Sequence, residues 1–417
     1  MLELYSIQFL VIQIVHNYYT YYKLKIQKDR SFLVLFYYRS IYMNQPFTTT
    51  TLEKQLIQQA AFNHSPVTGT LELLPLCNMR CDMCYIRLDR DEMNRQGHLY
   101  SADEWIRLAE QMAKSGVLFL LLTGGEPLLF PDFRKLYLRL QQLGMILTIN
   151  TNGTLIDEEW ADFFAQNKPR RINVTLYGTD EETYENLCHY SGGFSKTIQG
   201  IKLLKEQGID VKINGSVTKR NVQDTEKIYC IGRELDIPVH MDTYMLPGIQ
   251  DRYKPFKQQT RLNPEDSALA KIQTMKEEMT SDSFYDYVNQ AIDAVENKEQ
   301  IYPDCLSCQA AASSFAIGWQ GLMRPCVSLS EPSVNVFETG FDSGWTKIVE
   351  EAKQLRVNEK CTSCRLRPIC NTCAASACWE TGSYDSIPDY NCRCAEEFLR
   401  LLYQEQQNVN NAGNVER

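Results

Sequence analysis

The chain has 417 residues, of which 44% are hydrophobic, so it is long enough for two domains that each bury a core. Its formal net charge of −9 offers no broad basic surface, which disfavours a nucleic-acid partner. An apolar stretch at residues 7–15 is too short and too interrupted to span a membrane, and no basic region precedes it as in a secretion signal. We therefore expect neither a nucleic-acid partner nor a membrane anchor.

The N-terminal 42 residues mix Tyr, Ile, Leu and Lys without a sustained helical or strand period. A more ordinary sequence begins at Met43. We interpret residues 1–42 as an extension that precedes the true start of the protein, and residues 43–68 as a short N-terminal segment.

Residues 69–247 alternate short apolar runs with amphipathic segments. Six runs have the length and composition of strands, at 71–76, 118–122, 146–149, 172–176, 211–213 and 239–241. Five segments carry apolar residues at three- and four-residue spacing and predict helices, at 102–114, 133–143, 158–165, 196–207 and 225–235. Alternating strands and helices predict an α/β domain with a parallel sheet.

The chain contains fifteen cysteines. In a secreted protein such a number would indicate disulfides. This chain is long, lacks a convincing secretion signal, and groups its cysteines at spacings typical of metal ligands. We therefore expect reduced thiols and a cytoplasmic location.

Three of these cysteines, Cys77, Cys81 and Cys84, follow the first predicted strand with the spacing C-x3-C-x2-C and no fourth cysteine nearby. Three thiolates can hold a four-iron cluster by three of its irons and leave the fourth iron open to a small molecule. A purely structural site would close every position. The missing fourth ligand therefore predicts catalysis.

The three-cysteine spacing resembles the signature of the radical S-adenosylmethionine (SAM) enzymes. Forty residues on, the second strand is followed by Gly124, Gly125, Glu126 and a proline, which resembles the family motif that holds the amino group of SAM. The two glycines let the backbone approach its surroundings closely, and Glu126 offers a carboxylate to an ammonium group. The resemblance implies a partial (β/α)6 barrel whose ligand-binding residues lie on loops after the strands, with one SAM-binding 4Fe-4S cluster.

Other residues of the SAM pocket are carried over from this resemblance position by position. Met83 matches a residue that contacts adenine, and Thr151 a residue near SAM. Thr175 matches a hydroxyl that binds ribose or carboxylate, whereas Asn214 and Ser216 match a segment beside the ribose. The alternative is that these polar residues only cap strands and turns.

The chain departs from the common family pattern at two positions. Tyr177 stands where an Asp is frequent, and Cys188 stands where an Arg commonly pairs with the SAM carboxylate. Another residue must then supply that contact. Cys188 is either a thiol that contacts substrate or a buried helix cysteine that behaves as a small hydrophobic residue, and we favour the second interpretation.

Ten of the fifteen cysteines lie between residues 305 and 394. Their spacing resembles the SPASM domain, an extension of certain radical SAM enzymes that binds two auxiliary 4Fe-4S clusters, and predicts a small cysteine-rich domain at 301–400. The resemblance implies an outer cluster held by Cys361, Cys364 and Cys370 with Cys392 or Cys394. It implies an inner cluster held by Cys305 and/or Cys308, Cys326 and Cys373, with Cys378 as a competitor of Cys373.

Zinc is the alternative for this region, because paired C-x2-C segments also form closed tetrahedral zinc sites. A radical SAM core in the same chain favours iron. Between the two domains, residues 248–300 are charged and helical in pattern, and we interpret them as a helical linker. Residues 401–417 are polar and predicted to be a disordered tail.

The resemblance implies that an electron donor of the ferredoxin or flavodoxin type reduces the first cluster, that SAM is cleaved to a 5′-deoxyadenosyl radical, and that this radical abstracts hydrogen from a substrate. SPASM enzymes mostly modify peptides and proteins. Our main hypothesis is a maturase that forms a thioether or carbon–carbon crosslink in a ribosomally made peptide. Residues 43–68 are too few for a leader-binding domain, so a separate leader-peptide recognition protein is expected.

Three alternatives stay open. A sulfatase-maturating protein oxidase is disfavoured because Val327 follows Cys326. Those enzymes resemble one another in having an acidic residue at this position. A cofactor-biosynthesis enzyme would act on a tetrapyrrole or quinone precursor. A zinc-bearing interaction protein without activity is disfavoured, because a degenerate enzyme would be expected to lose the three cysteines or the Gly-Gly-Glu element first.

Overall fold

The computed structural model describes residues 51–246, 256–297 and 301–415, so the extension predicted at 1–42 lies outside the described residues. The described strands are β1 Thr68–Glu72, β2 Phe119–Thr123, β3 Ile146–Thr151, β4 Arg171–Thr175, β5 Val211–Ser216, β6 Val239–Asp242, β7 Ser314–Ile317, β8 Leu322–Arg324 and β9 Val334–Asn335.

The helices carry most of the remaining chain. They are α1 Thr51–Phe62, α2 Arg90–Gln96, α3 Ala102–Lys114, α4 Phe133–Gln142, α5 Glu158–Gln166, α6 Glu181–Cys188, α7 Gly193–Glu206, α8 Thr225–Glu234, α9 Pro264–Glu278, α10 Ser281–Glu296, α11 Val336–Thr339, α12 Phe341–Ala352, α13 Glu359–Thr362, α14 Ala374–Thr381 and α15 Asp389–Val415. Short 3-10 turns occupy Pro127–Leu129, Val222–Asp224 and Phe256–Gln258.

All nine described strands form one sheet with the order β6-β5-β4-β3-β2-β1-β7-β8-β9. The strands β1 to β6 are parallel, as predicted, and each follows the preceding one by way of at least one helix. The prediction of an α/β fold with a parallel sheet of the partial-barrel type is therefore confirmed.

The two faces of this sheet differ in chemistry. One face presents fully buried aliphatic side chains such as Leu71, Ile149 and Ile213, which pack in the main core with residues of the surrounding helices. The other face, which we call the polar face, carries half-buried side chains at alternate positions because successive residues of a strand point to opposite sides. These polar-face residues include Thr148, Asn150, Asn173, Thr175 and Asn214.

The cysteine-rich region is continuous with this sheet rather than separate from it. Strand β7 pairs in parallel with β1, with Thr68 opposite Ser314. Strands β8 and β9 then extend the sheet in antiparallel fashion. The sequence pattern predicted a distinct domain at 301–400, whereas residues 314–335 complete one edge of the barrel sheet.

Helices α9 and α10 lie in the region predicted as a helical linker, and they form a second hydrophobic core with α15. Ile272, Phe284 and Val288 pack there with Phe398 and Leu402. This second core connects the linker region to the end of the cysteine-rich region.

The prediction of a disordered tail at 401–417 is wrong for its first residues. Helix α15 runs without a break through Val415, and Leu402 is 0% exposed. The hydroxyl of Tyr403 donates to Glu296, and Glu405 forms an ion pair with Lys276. The prediction failed because the segment is mostly polar in composition, and only a few of its side chains pack against α9 and α10.

In the part of the chain that the structure describes, none of the helices is both long and apolar enough to cross a membrane.

Candidate active site

Two loops at the carboxyl ends of β1 and β2 are joined by backbone hydrogen bonds. The Gly125 N–H donates to the Leu74 carbonyl (2.7 Å), and the Glu126 N–H donates to the Leu76 carbonyl (2.9 Å). A Cβ atom on Gly124 or Gly125 would overlap the carbonyl oxygen of Leu74 or Leu76, respectively. Glycines are therefore required at both positions for the second loop to reach the segment that leads into Cys77.

Glu126 holds a fully buried carboxylate in the second loop, at 0% exposure. Its Oε1 accepts from the hydroxyl of Thr151 (2.8 Å) and the N–H of Leu128 (3.1 Å), and its Oε2 accepts from the N–H of Asn152 (2.8 Å). Burial raises the pKa of Glu126 to about 7, although these hydrogen bonds oppose the rise. A buried carboxylate of this kind is well suited to bind a cationic group.

Thr151 and Asn152, at the end of β3, orient this carboxylate. The resemblance places Thr151 near SAM, and in the structure its hydroxyl donates to Glu126. Asn152 was not predicted as a site residue. Besides its backbone contact to Glu126, its side-chain Nδ2 donates to Asn78 (2.8 Å) and lies 3.6 Å from the sulfur of Cys77. Asn152 therefore links the carboxylate to the cysteine loop.

The cysteine loop directs backbone donors toward its sulfurs. The sulfur of Cys77 accepts from the N–H of Met79, and the sulfur of Cys84 accepts from the N–H of Arg87, both at 3.3 Å. The Cys84 N–H donates to the Cys81 carbonyl (3.1 Å). Donors to sulfur stabilise thiolates and are one means by which proteins tune iron–sulfur clusters.

The three cysteines are half-buried, and the pKa values of their thiols are high in the absence of metal. Burial raises the pKa of Cys77 to about 12 and that of Cys84 to about 11. A hydrogen bond with Cys188, followed by burial, raises the pKa of Cys81. Iron binding would displace these protons. Three thiols on one loop, two of them with backbone donors aimed at the sulfur, fit a cluster held by three cysteines.

The two positions that depart from the family pattern both lie beside this loop. Cys188 is fully buried at the end of α6, as we favoured from sequence, and its carbonyl accepts from the N–H of Arg80, the residue before Cys81 (2.8 Å). Burial raises the pKa of Tyr177, and the neighbouring Cys81, Cys188 and Cys84 raise it further. Both departures therefore change the surroundings of Cys81 rather than a distant surface.

Strands β4 and β5 bring the predicted ribose-binding residues together. Thr175 is the register partner of Asn214, and Ser216 lies two residues further along the same face. The Oδ1 atom of Asn214 is buried and has no hydrogen-bond partner. A ligand hydroxyl would satisfy this acceptor. Met83, predicted to contact adenine, is buried in the main core.

Several of the C-terminal cysteines fall into two groups, and the thiols within each group lie close to one another. The first group consists of Cys326 with the nearby Cys308 and Cys373. Burial raises the pKa of Cys326 to about 11. The second group consists of Cys392 with Cys370, Cys361 and Cys364. Burial likewise raises the pKa of Cys392 to about 11. The resemblance implied the same division into inner and outer sets, and the assignment of these thiols to clusters stays a prediction.

Cys394 lies near Ser267 and Tyr390 as well as near Cys370, and burial raises its pKa to about 12. The half-buried Lys271 lies near Cys370 and Cys394. Within the described ranges, no three Cys, His, Asp or Glu side chains converge on one point as the ligands of a single metal ion do. The thiolates of a four-iron cluster each bind a different iron.

Known proteins resemble this chain in sequence and in fold. The family model of the radical SAM superfamily matches residues 71–229. The AdoMet-dependent heme synthase of Methanosarcina barkeri is 26% identical over 78% of this chain and 95% of its own length. The antilisterial bacteriocin subtilosin biosynthesis protein AlbA of Bacillus subtilis is 23% identical over 74% of this chain and 67% of its own length.

Among solved structures, that of Streptococcus suis SuiB bound to the precursor peptide SuiA has the same fold, with a TM-score of 0.59, 19% sequence identity and 88% of each chain covered. The stretch that matches the family model contains both loops that build the site around Glu126 and Cys77. Because the sequence match, the fold and the local geometry agree, residues 71–229 form a radical SAM domain, and the protein is an enzyme.

Proposed function

We propose that this enzyme reductively cleaves SAM and uses the resulting radical to abstract hydrogen from a peptide, as a maturase of a ribosomally synthesised peptide. The observation that carries the SAM-binding part is the buried carboxylate of Glu126, oriented by Thr151 and Asn152 beside the cysteine loop. The amino group of SAM is a cation, and a cation stabilises a buried carboxylate by a charge-assisted hydrogen bond.

The family implies a 4Fe-4S cluster and SAM as cofactors, which together supply the radical chemistry when bound. Cys77, Cys81 and Cys84 would hold the cluster. Asn152 touches both Glu126 and Cys77, so it would keep the amino-group site and the cluster site at a fixed separation. The other SAM contacts in this proposal are those of Met83, Gly124, Gly125, Thr151, Thr175, Asn214 and Ser216.

Two auxiliary 4Fe-4S clusters are the second part of the proposal. Cys308, Cys326 and Cys373, with Cys305 as a further candidate, would hold the inner cluster. Cys361, Cys364 and Cys370 would hold the outer cluster together with Cys392. Cys392 lies near all three of these thiols, whereas the neighbours of Cys394 are Cys370, Ser267 and Tyr390, and this difference supports Cys392 over Cys394.

The proposal also names the partners. A low-potential electron donor of the ferredoxin or flavodoxin type would reduce the first cluster, and a separate protein would recognise the leader peptide. All fifteen cysteines are free thiols in the structure. Free thiols at metal-ligand spacings support a reducing compartment, and we propose the cytoplasm.

The peptide substrate is supported by the chemistry of the polar face. Asn150 and Asn173 hydrogen-bond to each other (2.8 Å) at its centre, and Thr148 and Thr175 flank them on the same two strands. Amides and hydroxyls of this kind both donate and accept hydrogen bonds, as the backbone of a peptide requires. The similarity to AlbA, a bacteriocin biosynthesis protein, supports the same substrate class.

A tetrapyrrole precursor is the second candidate substrate. The observation that favours it is the match to the heme synthase of Methanosarcina barkeri, which covers 95% of that protein. In this alternative the same SAM site would act in cofactor biosynthesis rather than in peptide modification.

The test starts with the full chain, purified and reconstituted without oxygen. Three four-iron clusters correspond to about twelve irons per chain, and SAM with dithionite should yield 5′-deoxyadenosine. Candidate peptides encoded beside the gene and iron coproporphyrin III are then offered separately. A peptide that loses two hydrogen atoms supports the maturase, and conversion of the porphyrin alone supports the second candidate. Zinc in place of iron, with no 5′-deoxyadenosine, would overturn both.

A further inference from the structure

Asn152, the first residue after β3, is held by hydrogen bonds at both of its backbone groups. Its N–H donates to Oε2 of Glu126 (2.8 Å), and its carbonyl accepts from the hydroxyl of the fully buried Thr197 (3.1 Å). The residue itself is buried, at 8% exposure. Because these contacts are made by the backbone, a substitution of the Asn152 side chain does not remove them.

The side-chain amide of Asn152 has only one orientation that satisfies its neighbours. The N–H of Thr154 meets the Oδ1 atom of this amide at 3.0 Å. A backbone N–H can only donate, so the amide atom that it meets must be the oxygen. The amide nitrogen then faces the opposite way, toward Oδ1 of Asn78 (2.8 Å) and the sulfur of Cys77 (3.6 Å).

Three side chains close a ring of hydrogen bonds that fixes this orientation. Asn152 Nδ2 donates to Asn78 Oδ1 (2.8 Å), Asn78 Nδ2 donates to the Thr154 hydroxyl (2.8 Å), and that hydroxyl donates to Asn152 Oδ1 (2.7 Å). An amide nitrogen carries two hydrogens, and the ring uses one of those on Asn152. The second hydrogen is left for the sulfur of Cys77.

We propose that Asn152 donates an N–H···S hydrogen bond to the sulfur of Cys77 when that sulfur binds the SAM-binding cluster, and thereby raises the reduction potential of the cluster. This inference rests on the proposed function, because it requires a cluster at Cys77, Cys81 and Cys84. Asn152 is then a positioning residue that acts through Cys77.

The sulfur of Cys77 has two polar side-chain atoms near it, and iron binding decides between them. It lies 3.8 Å from Oδ1 of Asn78 and 3.6 Å from Nδ2 of Asn152. A sulfur that binds iron has lost its proton and can only accept, so the nitrogen of Asn152 becomes the favourable neighbour. The N–H of Met79 is a further donor to the same sulfur (3.3 Å), and no side-chain substitution removes it.

The physical reason for the effect on the potential is charge. Reduction adds an electron to the cluster, and part of this negative charge resides on the ligating sulfurs. A hydrogen-bond donor to one of those sulfurs stabilises the reduced state more than the oxidised state, and so makes reduction easier. The effect is stronger where protein excludes water, as it does around the buried Asn152.

Two variants remove the donor. Asn152→Leu keeps the approximate size of the side chain, and Asn152→Ala shortens it. Asn167→Leu is the matched control, because Asn167 lies at the end of α5, and its amide nitrogen donates to the carbonyl of Phe163 (3.0 Å) rather than toward the cysteine loop. Thr154→Val opens the ring but keeps the N–H that orients the amide of Asn152.

Each full-length variant is reconstituted without oxygen and its iron is counted. The midpoint potential of its SAM-sensitive electron paramagnetic resonance signal is then measured by redox titration. The potential reports the electronic surroundings of the cluster, whereas a purely structural role of Asn152 would change only the amount of cluster.

We expect Asn152→Leu and Asn152→Ala to retain the iron of the wild type and to be reduced about tenfold less favourably, which is a midpoint about 59 mV lower for a one-electron couple. Thr154→Val should shift the midpoint less, and Asn167→Leu should not shift it. An unchanged midpoint in an Asn152 variant that holds its iron would overturn the inference. Loss of about four irons from both Asn152 variants would also overturn it, because Asn152 would then be a structural support of the loop.

The failure of the proposed function would look different. A wild-type protein without any SAM-sensitive signal would overturn both the radical SAM assignment of the cysteines and the role of Asn152. A normal wild-type signal with an unmoved midpoint in the Asn152 variants would overturn only the role of Asn152.

Discussion

The guanidinium of Arg324 forms an ion pair with the carboxylate of Glu72, which joins β8 to β1 across the intervening strand β7. Glu72 is 2% exposed, and its other oxygen accepts from the hydroxyl of Tyr85 (2.8 Å). Tyr85 follows Cys84, and Arg324 precedes Cys326 by two residues. This ion pair therefore connects the loop of the SAM-binding cluster with the start of the auxiliary-cluster region.

Removal of one partner of this pair should be costly. In Arg324→Met the buried carboxylate of Glu72 loses its cation, and breaking a buried pair in this way costs about 3 kcal/mol of unfolding free energy. Chemical denaturation of the reconstituted protein measures the change. The double variant Glu72→Gln/Arg324→Met should be more stable than Arg324→Met alone, because it leaves no buried charge without a partner. Equal stability of the two would contradict the role of the pair.

Glu126 is expected to control SAM affinity. Glu126→Gln keeps the shape of the side chain but removes its charge, and hydrogen bonds to charged groups contribute about 1.5–3 kcal/mol, which corresponds to a 10- to 100-fold weaker Kd. Thr151→Val should weaken binding less, because it removes one donor to Glu126 and not the charge. Calorimetry on the reconstituted enzyme measures both. Thr148→Val, on the same strand, serves as the control, and wild-type affinity in Glu126→Gln would refute the SAM pocket.

Cys81→Ala should separate the SAM-binding cluster from the auxiliary clusters. With one of three ligands lost, about four of about twelve irons should be missing, and SAM cleavage should stop. Iron analysis and the 5′-deoxyadenosine assay measure the two effects together. Undiminished cleavage in this variant would mean that the cluster is held elsewhere.

Cys392 and Cys394 offer a matched pair on one helix. Cys392 lies near Cys361, Cys364 and Cys370, whereas Cys394 lies against Ser267 and Tyr390. We expect Cys392→Ala to lose about four irons and Cys394→Ala to keep the full number. The opposite result would assign Cys394 to the outer cluster.

His240, on β6, makes stability depend on pH. Burial lowers its pKa, but hydrogen bonds and charge from Asp242 and Glu278 outweigh burial and raise the pKa to about 9, against an ordinary value of 6.5. Since the folded protein holds this proton more tightly than the unfolded chain, the stabilisation is fully present below pH 6.5 and is lost as the pH rises through about 9. The difference in melting temperature between wild type and His240→Asn should shrink over this interval. A constant difference would contradict the prediction.

The parallel sheet could be predicted from sequence because its signals are local. The apolar run at 146–149 and the helical spacing at 102–114 predicted β3 and α3 closely, and α3 has the predicted bounds. Its start is fixed by Ser101 and Glu104, which form a capping box within four residues. Such signals need no knowledge of the rest of the chain.

The features that sequence did not reveal depend on distant partners. The pairing of β7 with β1 joins residues far apart in the chain, and α15 continues past residue 401 because Leu402 packs in a core built with α9 and α10. The same holds in the site. The motif identified Glu126, but the contacts of Asn152 and the proximity of Cys188 to Cys81 arise only when three loops meet.

The pairing of β7 with β1 also sets the order in which the protein can finish folding. While the chain is being synthesised, β1 can pair with β2 early, but its other edge stays open until Ser314–Ile317 has left the ribosome. An open strand edge is a template for aggregation, and pairings between distant segments form slowly. The segment that closes this edge lies among the cysteines proposed to bind auxiliary iron. Iron supply during synthesis would then affect how much of the protein stays in solution, in addition to how much of it is active.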